Sequence, residues 1–105
     1  MLPVLHGDLC WSARALLAAP PDARAGLARQ LIAQAERADR HTRRTGRLHP
    51  VWGDGSLMCV AGRLPRAAEP FVDDLAYCAC LITMLRALER HKMRGAARGK
   101  LPAPA

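Results

Sequence analysis

A chain of 105 residues, 50% hydrophobic and 4% aromatic, has room for one small core and is too short for two. Its net charge of +7 points to acidic partners, yet 14 arginines stand against 2 lysines, the bias that a GC-rich genome writes at solvated positions. No run approaches the roughly 18 apolar residues of a membrane span, and the first residues lack the order of a signal peptide, so a cytoplasmic protein with reduced thiols is expected.

Gly7-Asp8 opens the first predicted helix, with Asp8 as N-cap accepting from the free N–H groups of the first turn. The helix runs to about Ala19 and stops at Pro20-Pro21. Leu9, Ala13, Leu16 and Leu17 form its apolar stripe, with Cys10 on the edge. Trp11 lies about 160° from that stripe. It reads either as a contact surface, since Trp is enriched at binding hot spots, or as packing on Pro3–Leu5 or the C-terminal tail.

Pro21 suits the first turn of the second helix, with Asp22 complementing the dipole. This helix is predicted from Asp22 to Thr45, with Gly46 just past its end. Leu27, Ala28, Leu31, Ile32, Ala35, Ala38 and Thr42 fall within an arc of about 140°, and Arg29, Glu36, Arg37, Arg40 and Arg44 lie opposite. Asp39 breaks the apolar arc. A buried carboxylate without donors costs several kcal/mol, so Asp39 is expected to pin the following loop through backbone near Gly53, the Trp52 indole or His49. The alternative is a half-exposed residue at the edge of the arc.

The loop Arg47–Gly55 holds two glycines and a proline. Asp54 or Ser56 caps a short third helix from Ser56 to Arg63, ending before Pro65. Gly-Asp-Gly-Ser ahead of a helix can offer N–H groups to an anion, but Asp54 would repel it and no phosphate-loop lysine follows. The preferred reading is turn chemistry, with Gly53 and Gly55 in backbone angles that other residues avoid and Trp52 plugging the helix junction.

Residues 65–72 read as an extended linker. Asp73 then caps a fourth helix from Asp74 to Lys92, expected to be the central core helix. Its wide apolar arc holds Leu75, Tyr77, Cys78, Leu81, Ile82, Met84, Leu85 and Leu88. Cys78 lies toward the core and Cys80 about 160° away, so the pair cannot share an ion. No zinc spacing is present, and neither a metal nor a cofactor is expected. The helical domain is assigned to 1–93, and the Gly-, Ala-, Pro- and Arg-rich residues 94–105 to a disordered basic tail. Period-two alternation is absent, so the fold class is all-α, a compact bundle of about four helices.

Four segments together resemble a small alphaproteobacterial family with no assigned activity. They are Pro3-Val4-Leu5-His6-Gly7-Asp8, Ala38-Asp39-Arg40, the loop His49-Pro50-Val51-Trp52-Gly53-Asp54-Gly55-Ser56-Leu57-Met58, and Asp73-Asp74 with Tyr77-Cys78. The resemblance covers residues 3–80, and the loop is its most distinctive part. It implies no catalytic residues and a GC-rich genome, in keeping with the arginine bias.

Three functions are compatible with these features. The leading one is a non-catalytic helical interaction protein, an adaptor or small subunit, with a protein partner or self-association. The alternative is a nucleic-acid-binding accessory protein using the arginine face of the second helix and the tail. Against it, Pro20-Pro21 does not match the tight turn of a helix-turn-helix, and aromatic residues for single-strand stacking are few. A small enzyme built on His49, Asp54 and Ser56 is least favoured, because four short helices leave little room for a deep pocket. The candidate surface comprises Trp11, Arg37, Arg40, Arg44, His49, Trp52 and Asp54, with Asp39 and Ser56 as structural polar residues.

Overall fold

Leu5 is extended and His6 is the first helical residue, so in the computed structural model, which describes residues 1–99, helix α1 spans His6–Ala18. Asp8 is therefore the third residue of the helix rather than its N-cap. Its Oδ2 still accepts from the Leu5 N–H at 2.8 Å, and its Oδ1 accepts from the Met58 N–H at 3.0 Å. One buried carboxylate thus closes the first turns of two helices. At the other end of α1, Pro20-Pro21 forbids continuation, and a short 3-10 turn, Pro21–Ala23, follows. The Arg24 side chain reaches back to cap α1, its Nε donating to the Leu16 carbonyl at 2.9 Å and its Nη2 to the Leu17 carbonyl at 3.1 Å.

Helix α2, Arg24–Thr45, is one continuous rod, as the sequence pattern predicts. It buries Ala28, Leu31, Ile32, Ala35 and Ala38 and turns Arg29, Arg37, Arg40 and Arg44 to solvent. Gly46 ends it at φ 72°, where only glycine is unstrained. Helix α3, Leu57–Ala61, is shorter than predicted. Its cap is Ser56, whose Oγ accepts from the Cys59 N–H at 3.1 Å.

Helix α4 spans Leu75–Gly99. Its cap is Asp74 instead of Asp73, with Oδ1 accepting from the Tyr77 N–H at 3.0 Å. The helix runs past the predicted boundary at 93, because Ala96 and Ala97 are strong helix formers and offset Gly95. The rest of the predicted disordered tail, 100–105, lies outside the described residues. Among the described residues there is no β-sheet, and the fold is an all-α bundle of four helices.

The core joins Ala13 and Leu16 of α1, Ala28, Leu31, Ile32 and Ala35 of α2, Leu57 and Val60 of α3, and Tyr77, Cys80 and Met84 of α4. Each of α1 and α2 packs against both α3 and α4. The buried alanines let the helices approach closely, so a few large side chains fill the centre. The rotation of α4 differs from the one predicted: Cys80 is buried and Cys78 half-exposed, while Leu75, Ile82 and Leu85 face outward. The apolar arc of α4 is wider than the space that α1 and α2 cover, so only its Tyr77–Cys80–Met84 side is inside. The Tyr77 hydroxyl finds no hydrogen-bond partner among the described residues. Burial, then the neighbouring Cys10 thiol, pushes this phenol up to about 12.

Candidate functional site: a basic cleft on the second helix

The loop after α2 is shaped by glycines with positive φ, 79° at Gly53 and 98° at Gly55. His49 and Gly53 exchange backbone hydrogen bonds of 2.9 and 3.1 Å and fold the chain tightly over Pro50-Val51-Trp52. Inside this turn the His49 Nδ1 accepts from the Val51 and Trp52 N–H groups, each at 3.0 Å. That nitrogen must be unprotonated to accept. Desolvation, then the charges of His41 and Arg37, hold the imidazole below its ordinary value.

The turn presents aromatic rings to α2. His49 stacks on Trp52 with centroids 4.7 Å apart, and His41 meets His49 edge-on at 5.1 Å. The Arg37 guanidinium stands 5.6 Å from the Trp52 ring centre. Arg37, Arg40, His41 and Arg44 share one face of α2 by their spacing of three, four and seven. Together with His49 and Trp52 they line a cleft of about 460 Å³.

The basic surface does not end there. A second depression shares Arg37 and Arg40 and continues between α2 and α4, with Arg29, His91 and Arg94 on its walls. A third adds Arg86 and Arg90. The one carboxylate that lines these three depressions is Glu36. It is already engaged, at 2.5 Å by the Met1 ammonium and at 3.5 Å by the His91 Nε2. Burial pushes the Glu36 carboxyl up, but the ammonium and His91 outweigh it and hold it below its ordinary value.

Asp39 is buried, as its place on the apolar arc requires. Its partners correct the sequence expectation. The Met1 ammonium lies 2.8 Å and the Arg43 Nη2 3.0 Å from its Oδ2, and no loop donor reaches it. The hydrogen bond from the ammonium, helped by the charges of Met1 and Arg43, holds Asp39 below the usual carboxylate range against the cost of burial. The first residues of the chain bridge α2 and the loop, since the Leu2 N–H donates to the Gly55 carbonyl at 2.9 Å.

Of the residues singled out from sequence, Arg37, Arg40, Arg44, His49 and Trp52 converge on the cleft. Asp54 does not line it and instead accepts from the Ser56 N–H at 2.9 Å. Trp11, expected to stand exposed or to meet the termini, is half-buried under the Arg66 guanidinium 4.2 Å from its ring centre. His41, one helical turn from both Arg37 and Arg44, is the cleft residue that the sequence reading passed over. Arg86, Arg90 and Arg94 join only through the packing of α4 on α2.

The geometry is that of a small all-α domain carrying a basic cleft lined by His49 and Trp52. The family model described as Domain of unknown function (DUF7742) matches residues 2–88, and the chain belongs to that family. Comparison with curated proteins and with solved structures finds no match. No described helix is long and apolar enough to cross a membrane.

Proposed function

We propose that this domain is a non-catalytic binding protein whose α2–α4 face takes the phosphates of a nucleic acid, with the His49–Trp52 stack as a seat for an unpaired base. One observation carries the reading: seven arginines line adjoining depressions on one face, and the single carboxylate among them is already paired with the Met1 ammonium and His91. Clustering of this kind is what a nucleic-acid footprint requires. Arginine forks match phosphate geometry, and a base stacked on an aromatic side chain contributes about 1–3 kcal/mol. A cytoplasmic location suits this ligand.

The enzymatic alternative loses support from the same turn. The His49 Nδ1, the Asp54 carboxylate and the Ser56 hydroxyl each accept a backbone N–H within their own segment. All three are committed to holding the loop. An adaptor role no longer rests on Trp11, which Arg66 covers.

Fluorescence anisotropy with labelled single-stranded and duplex oligonucleotides tests the proposal. The single strand binds at low salt, quenches Trp52 and dissociates steeply as salt rises. Absence of binding to either oligonucleotide at low salt overturns it.

A further inference from the structure

We propose that the uncovered apolar side of α4 pairs with the same side of a second copy of this chain, the two helices running antiparallel. Helix α4 has 25 residues and is about 37 Å long. Tyr77, Cys80 and Met84 occupy its inner side. On the outer side Leu75, Cys78, Ile82 and Leu85 are spaced by three, four and three residues, the rhythm of a coiled-coil seam. Glu89, at the next step, closes that seam. Phe71 and Val72, immediately before the helix, are also exposed, Phe71 at 87% beside Leu75 at 88%.

A single exposed leucine is ordinary, but a contiguous run is not. Phe71, Val72, Leu75, Ile82 and Leu85 expose on the order of 500 Å² per copy, near the upper end for patches on monomers and a large share of the ~800 Å² that each partner buries in a stable complex. The flanking polar residues of the seam supply the remainder.

Charge identifies the occupant and its direction. Asp73 and Asp74 stand exposed at the start of α4, and Arg86, Arg90 and Lys92 stand exposed further along. Two parallel copies would place acid on acid and base on base. An antiparallel pair about a two-fold axis near Cys80 sets Leu75 against Leu85, Cys78 against Ile82, and each acidic end beside the basic stretch of the other copy. The helix dipoles then also oppose. Arg86 and Arg90 border both surfaces, so the two readings are separated through residues that only one of them uses, Arg37, Arg40 and Arg44 on α2 for the nucleic acid and Leu75, Ile82 and Leu85 for the pairing.

Sedimentation of the full chain gives twice the monomer mass at micromolar concentration. Ile82→Glu and Leu85→Glu, at exposed positions, leave the circular dichroism unchanged, raise the dimer dissociation constant by about a hundredfold or more, and remove the concentration dependence of Tm that the wild type shows. For direction, Leu75→Cys and Leu85→Cys chains are prepared separately in a Cys10→Ser, Cys59→Ser, Cys78→Ser background. Oxidation yields a covalent dimer only when the two are mixed. Cross-linking of the Leu75→Cys chain with itself overturns the antiparallel arrangement. A wild-type monomer across the micromolar range, or dimers that survive both glutamates, overturns the pairing altogether.

Discussion

Gly55 packs so closely against Asp39 that a methyl group on it would lie 2.7 Å from the Asp39 Cβ and 2.8 Å from its Cα. The loop backbone rests directly on α2 at the point where the helix is held by a buried ion pair. Gly55 also sits at φ 98°, so an added side chain meets both a clash and a strained backbone. Gly55→Ala is expected to cost about 2 kcal/mol or more in urea unfolding, and to red-shift Trp52 emission as the loop lifts. Gly46→Ala is the control, since φ is 72° there but no atom lies within 4 Å of the added carbon. Its cost should be only about 1 kcal/mol.

Asp39 and Glu36 both share the Met1 ammonium, which is fully shielded from solvent. Both carboxyls are held below their ordinary values in the fold. A carboxylate depressed in this way contributes stability that is complete above its unfolded value and is lost as pH falls through its folded value. Tm should therefore hold steady from neutral pH down to the ordinary carboxylate range and drop steeply beneath it. Asp39→Asn should lower Tm at neutral pH and flatten that acid limb. An acid limb of unchanged steepness in the variant would contradict the assignment.

Tyr77 offers the opposite case, a buried hydroxyl with no hydrogen-bond partner among the described residues and only the weak Cys10 thiol beside it. Its ring fills the centre of the core and its hydroxyl gains nothing there. Tyr77→Phe should raise stability by about 1 kcal/mol, because an unsatisfied hydroxyl carries its desolvation cost uncompensated. Tyr77→Ala should cost about 3–5 kcal/mol through the cavity it leaves. Chemical denaturation of the two variants distinguishes the ring from its oxygen.

The arginines of the cleft make a quantitative statement about salt. If Arg37 and Arg40 each neutralise a phosphate, replacing either with Ala should lower the slope of log affinity against log salt by about 0.9 for a duplex and about 0.7 for a single strand. Arg63→Ala, at an arginine that donates to the Val51 carbonyl and lies outside the cleft, should leave the slope unchanged. Equal slopes for all three would place the phosphates elsewhere.

Much of this was readable from local pattern. The apolar arc of α2 has one side, so its burial, its exposed arginines and its terminal glycine follow from spacing alone. The same spacing put Arg37, Arg40 and Arg44 on one face, and the glycines marked where the loop turns. Other features needed distant partners. Asp39 finds its donor 38 residues away, at the chain's first atom, and no periodicity reports that. The apolar arc of α4 covers two sides of the helix, and only the packing of α1 and α2 decides which goes inside. Arg66 covers Trp11 from a linker that carries no regular pattern.

The carboxylate of Asp8 serves the Leu5 and Met58 N–H groups at once. A five-residue helix such as α3 has no standing of its own, since nucleation alone would outweigh its internal bonds. It persists through its Ser56 cap, the burial of Leu57, Val60 and Ala61, and an acceptor borrowed from α1. The two helix starts therefore form one unit of local unfolding, and in hydrogen exchange the amides of Leu5 and Met58 should lose protection together, through a shared opening that neither segment can undergo by itself.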